Sequence, residues 1–132
     1  MKFILAFLLL VNIVLAEKLQ VISSISDIPK NKNIILQFSM DYCPYCVRQE
    51  KSLLNTIKPK FPDIIYLKVM NNTPVFQELI ETGNFGEVDY FPTTFILIKE
   101  ENNSIFVKYP FKGWQRSSDI IKILNDKDIM EN

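Results

Sequence analysis

Histidine is absent from these 132 residues, and cysteine occurs only twice. A structural zinc site wants four Cys, His or acidic ligands in a tetrahedral set, and a chain with no histidine and one close cysteine pair is poorly equipped to build one. Charge of one sign is missing too, because 15 basic residues offset 15 acidic ones. Binding phosphates needs a concentrated Lys/Arg surface, so this balance argues against a nucleic-acid partner. No apolar run reaches the roughly 20 residues that a bilayer span requires. Repeats and low-complexity tracts are also lacking. What is present is ordinary for a globular protein, with an apolar share of 48% and a charged share of 23%. The length fits one domain that buries a core without help from a disulfide or a metal.

The N-terminus departs from that average. Met1-Lys2 supplies one positive charge, and Phe3 to Leu15 is apolar apart from Asn12. Val14-Leu15-Ala16 then places small or β-branched residues ahead of the charged Glu17-Lys18. This is the pattern of a secretory signal peptide over residues 1–16, with residues 17–132 as the mature domain. The expected location is periplasmic or secreted. A retained membrane anchor is the alternative, for which the run is short. No cysteine follows Ala16, which leaves no site there for a lipid anchor.

Periodicity orders the remainder. Lys18 to Ser23 reads as a first strand and Ser26 to Pro29 as a turn or short helix. Asn33 to Ser39, with Ile34-Ile35-Leu36 inside it, reads as a buried strand because the apolar run is short and bounded by polar residues. Tyr45 to Ile57 reads as a helix, with Val47, Leu54, Leu53 and Ile57 apolar and Arg48, Gln49, Glu50 and Lys51 on the wet side. Pro59 and Pro62 end it. Ile64 to Val69 is a third strand. Thr73-Pro74 forms a helix start, and that helix stops at Gly83. Thr93 to Lys99 and Ser104 to Tyr109 are joined by a short polar connector, which predicts an antiparallel hairpin. Ser117-Ser118-Asp119 opens a last helix through Leu124. The order β(α)βαβαββα predicts an α/β fold around a mixed sheet of four to five strands, with helices on both faces.

The chemistry sits in Cys43-Pro44-Tyr45-Cys46, at the predicted strand-to-helix junction. A bridge three positions wide removes little entropy from the unfolded chain, so stability is a weak reason to keep it. Reactivity is a better one. Free backbone N–H groups and the helix dipole favour a negative sulfur at Cys43, lowering a thiol pKa that is about 8.5 when free. The thiolate attacks a disulfide, and Cys46, one turn on, resolves the mixed disulfide. Pro44 suits the first helical position, having no N–H to lose. Asp41 and Arg48 read as solvated faces. Tyr42, Tyr45, Tyr90, Phe91 and Trp114 are candidates either for an apolar rim around the cysteines or for the core.

From Asn33 to Leu124 the chain resembles the thioredoxin superfamily. Ile34-Ile35-Leu36-Gln37-Phe38-Ser39 leading to Cys43 resembles its central strand and active-site loop. Val88-Asp89-Tyr90-Phe91-Pro92-Thr93 resembles its second signature, and Phe111-Lys112-Gly113 its glycine-marked turn. The resemblance implies a thioredoxin-like fold, a cis Pro92 facing the cysteines, and a Phe91 backbone that receives an extended substrate segment. An X–Pro bond tolerates cis at a cost of about 0.5–1 kcal/mol; the alternative is an ordinary trans proline at a strand start. Two departures stand out. Gln37 takes the place of a buried acid and cannot accept a proton as a carboxylate does, so the proton of Cys46 must go to water, a lysine or another group. The Pro-Tyr dipeptide is that of many glutaredoxins, yet Thr93 to Ile98 lacks the glycine pair and acid by which those proteins grip glutathione.

Together these readings predict an exported thiol–disulfide oxidoreductase acting on protein disulfides, a monomer needing no cofactor and no metal. Substrate proteins and a membrane redox protein that resets the cysteine pair are the expected partners. The Pro-Tyr dipeptide lacks the histidine that hydrogen-bonds a sulfur in strongly oxidising relatives, so the resemblance leans toward a reductase. The competing class is a binding module: a copper(I) site, for which Met40 is the one nearby soft ligand, or a redox-inactive docking domain.

Overall fold

The computed structural model of the protein describes residues 17–131, so the expected signal segment over residues 1–16 lies outside the described residues. At the centre runs β2 (Asn33–Ser39), whose Ile34, Ile35, Leu36 and Phe38 are fully buried. A strand covered on both faces is apolar throughout rather than in alternation, which explains the Ile-Ile-Leu run. β3 (Ile65–Met70) pairs with it in parallel and β4 (Thr93–Lys99) antiparallel. β1 (Gln20–Val21) and β5 (Ile105–Lys112) are the edges, giving a five-stranded mixed sheet in the order β1-β3-β2-β4-β5.

Side chains alternate across this sheet and build two cores. Ile34, Leu36 and Phe38 face α2 (Pro74–Thr82) and pack with Val69, Val75, Leu79, Phe85 and Phe95. Ile35, Tyr66 and Ile96 face the other side, where α1 (Pro44–Ser52) continues into a π-helical turn at Leu53–Ile57 and α3 (Ser117–Leu124) lies alongside. The α/β architecture, with helices on both faces of a mixed sheet, is as the sequence predicts.

Four boundaries differ from expectation, each for a local reason. The first helix is not uniform: Lys58 donates to the Leu53 carbonyl at 2.8 Å, and this wider turn brings the adjacent Leu53 and Leu54 and then Ile57 all into the core. β1 is only two residues long, because the Asp27 carboxylate takes the N–H groups of Ser23 and Ser24 at 2.9 and 3.2 Å. β5 runs past Tyr109 to Lys112, tolerating Pro110 because an edge strand can turn a missing N–H away from the ladder. A bulge leaves Lys108 between the Ile96–Tyr109 and Leu97–Val107 pairs. Its Nζ donates to Asn33 Oδ1 at 2.7 Å and to the Met130 carbonyl at 2.6 Å, fastening a short unanticipated helix, α4 (Lys127–Met130).

The α2 signals hold. Thr73 Oγ1 accepts from the Phe76 N–H at 3.4 Å, Pro74 opens the helix and Gly83 caps its end. Gly83 is required for space: a Cβ there would come within 2.6 Å of the Leu79 carbonyl and strike the Phe85 ring.

Candidate functional site

β2 delivers the chain at Ser39, and Met40 to Tyr42 turn it into α1. Tyr42 adopts a left-handed conformation, φ 57°, with its ring fully in solvent. Cys43 is the extended N-cap of α1, and its Sγ accepts from the Cys46 N–H at 3.1 Å. Pro44 holds the first helical position. Cys43 and Cys46 form a disulfide with Cα atoms 5.2 Å apart. The two sulfurs are not equivalent. Cys46 is 4% exposed, whereas Cys43 is half-buried.

The Phe91–Pro92 bond is cis, the geometry the resemblance implies. The Phe91 carbonyl lies 3.7 Å from Cys43 Sγ. Thr93 Oγ1 donates to the Tyr90 carbonyl at 2.6 Å, fixing the turn that enters β4. The Phe91 ring is half-buried and packs near Phe76, with centroids 6.2 Å apart. Tyr42, Tyr45, Tyr90 and Trp114 are exposed, so these four belong to surface rather than core. Arg48 lies over the Tyr45 ring at 5.7 Å, and Asp41 accepts from Asn72 at 3.2 Å on the exposed loop. Gly113, with φ 75°, makes the turn between β5 and α3.

Beneath α1 the sheet carries a polar row. Register places Lys68 of β3 and Thr94 of β4 on either side of Gln37. Gln37 is wholly buried and its Nε2 donates to Ser39 Oγ at 2.8 Å and to the Cys46 carbonyl at 2.9 Å. The amide thus holds the first turn of the helix onto the sheet. Among the described residues its Oε1 and the Thr94 Oγ1 have no hydrogen-bond partner. On the other flank Lys68 Nζ pairs with Glu50 Oε1 at 2.6 Å, with the side chains 18% and 16% exposed. Both line an open cavity of about 890 Å³ whose wall includes Cys43, Cys46, Met40 and Tyr42.

Two of the residues assigned to the wet side of α1 are therefore misplaced by the sequence pattern. Gln49 is fully buried: its Oε1 accepts from the Gln115 N–H at 2.7 Å and its Nε2 donates to the Gln115 carbonyl at 3.3 Å. Glu50 turns into the cavity. Helical periodicity marks an apolar stripe only, and no pattern of polar residues announces that a second side of the helix is covered.

No family model matches the chain, and neither does any curated protein. Solved structures do. An uncharacterized thioredoxin-like protein from Clostridium perfringens superposes with a TM-score of 0.59 at 24% identity, over 86% of this chain and 84% of that one. Thioredoxin O2 from Arabidopsis thaliana, in its oxidized state, gives 0.61 at 16% identity, over 81% and 91%. Thioredoxin f2 from Chlamydomonas reinhardtii gives 0.60 at 14% identity, over 81% and 94%. At such identities the likeness establishes the fold, which is that of thioredoxin.

Proposed function

We propose that the protein is an exported thiol–disulfide oxidoreductase acting on protein disulfides, with Cys43 as nucleophile and Cys46 as resolving thiol. The asymmetry of the pair carries this reading. Cys43 is the accessible sulfur, placed at a helix N-cap where the Cys46 N–H points at it, and such a site favours a thiolate. Cys46 is shielded from any second substrate but adjacent to the first sulfur, as a resolving group must be. The half-buried Phe91 before Pro92 and the exposed Tyr90 and Tyr42 suit an extended peptide, bound by strand addition.

The chemistry needs no cofactor, because the sulfurs carry the electrons. Attack of the Cys43 thiolate on a substrate disulfide breaks that bond, releases one substrate thiol and leaves the other substrate sulfur joined to Cys43; the Cys46 thiolate then attacks Cys43 Sγ, displaces the second substrate thiol and closes the ring. A membrane redox protein then returns the pair to its dithiol state. Residues 1–16 are the export signal in this reading, and N-terminal sequencing of native protein should begin near Glu17.

Cysteine variants test the assignment. Cys43→Ser should abolish turnover, whereas Cys46→Ser should accumulate covalent adducts with its substrates, visible on a non-reducing gel. Adducts on Cys43→Ser instead would reverse the two roles. Equilibration with glutathione then gives the direction. A potential near the reducing end of the family range, about −270 mV, supports a reductase; one near −120 mV indicates an oxidant.

A further inference from the structure

Resolving a mixed disulfide requires Cys46 to lose a proton, and the amide of Gln37 directly beneath it has nowhere to put one. The nearest ionisable machinery lies one helical turn further along α1. Cys46 and Glu50 are four residues apart and so share a helix face, and both line the same cavity. Lys68, the strand partner of Gln37, closes on Glu50 at 2.6 Å from below. Four other charged groups line this cavity, and all four are exposed. Asp41 from the loop accepts from Asn72, Glu17 from the N-terminal stretch pairs with Lys58, and Lys18 and Lys51 extend into solvent. Glu50 is the acid among them held in place and largely shielded.

We propose that Glu50, positioned by Lys68, accepts the Cys46 proton through the solvent of this cavity and returns it in the reverse direction. This deepens the exchange reading above and rests on it. In the resolving step the Cys46 S–H gives its proton to the Glu50 carboxylate. The resulting thiolate attacks Cys43 Sγ of the mixed disulfide, the Cys43–Cys46 bond forms, and the substrate sulfur leaves as a thiolate that takes a proton from water. Two protein thiols are oxidised and one substrate disulfide is reduced, with no other reactant. Lys68 holds the carboxylate in place through the 2.6 Å ion pair.

The test is stopped-flow kinetics of the reduced protein with a small aromatic disulfide, resolving attack at Cys43 from closure by Cys46. General acid–base groups typically contribute 10²–10⁴-fold, and relay through water places Glu50 at the lower end. Glu50→Gln should slow closure about 100-fold near neutral pH. The deficit should shrink as pH rises, because hydroxide then replaces the carboxylate as acceptor of the proton. Glu50→Asp should recover part of the rate, which a purely structural carboxylate would not do. Attack at Cys43, measured in the Cys46→Ser background, should not change. Slowing of closure by the same factor at every pH, slowing of attack, or unchanged closure would each overturn the proposal. Absence of any exchange in the wild type would remove the parent reading, and this one with it.

Discussion

Replacing Gln37 by methionine probes how the active-site helix is held to the sheet. The two side chains have nearly the same length and volume, so packing should change little. What is lost are the two bonds donated by Nε2, to Ser39 Oγ and to the Cys46 carbonyl. At about 1 kcal/mol each they contribute roughly 2 kcal/mol net. What is gained is the removal of Oε1, a buried acceptor without a partner among the described residues, whose desolvation costs about 1–3 kcal/mol. The terms nearly offset. The expected outcome is a stability loss of about 1 kcal/mol or less for the oxidised protein, with a Tm lower by about 4 °C at most. Denaturant unfolding with matched m-values measures this directly. A loss of about 3 kcal/mol or more would refute the reasoning, because it would mean that Oε1 is satisfied in the folded protein. Gln37→Ala is the control: it adds a cavity and should cost about 2–5 kcal/mol.

Gln49→Leu leaves the Gln115 N–H and carbonyl without their partner in a half-buried turn; a loss of about 1–3 kcal/mol is expected from thermal melts, and no loss would mean that water replaces the clamp. Burial pushes the Tyr66 phenol up to about 12, above its value of about 10 in an unfolded chain. A raised folded pKa gives stability that is complete below about pH 10 and disappears as pH rises through about 12. The stability difference between wild type and Tyr66→Phe should therefore shrink across that interval, and a difference constant with pH would contradict the assignment.

The central strand and the helix after the cysteines were legible because their signals are local: an apolar run between polar bounds, and a proline at a helix start. The cysteine pair was legible for the same reason, and the Pro92 turn through resemblance. Long-range polar contacts were not. Gln49 and Glu50 sit among charged residues at positions that a helical stripe assigns to solvent, and only the folded chain brings Gln115 and Lys68 to meet them. The π-helical turn was hidden because Leu53, Leu54 and Ile57 are compatible with an ordinary helix as well. Lys108 illustrates a further blind spot. Desolvation holds it below the ordinary lysine range, yet nothing in the sequence distinguishes this lysine in a bulge from one facing water.

β2 lies between β3 and β4, so the disulfide at its end has two distinct flanks. Phe91 and Pro92 lead into β4 on one side, and the cavity with Lys68 opens beside β3 on the other. Under the proposed function, a polypeptide laid along Phe91 lies on the β4 flank, whereas Lys68 and Glu50 line the cavity on the β3 flank. Traffic of chain and traffic of solvent are separated by the width of a strand. If exchange proceeds as proposed, a large client occupies one flank and leaves the other wet. Clients of very different bulk should then share one pH profile for ring closure, and differ chiefly in how long they stay.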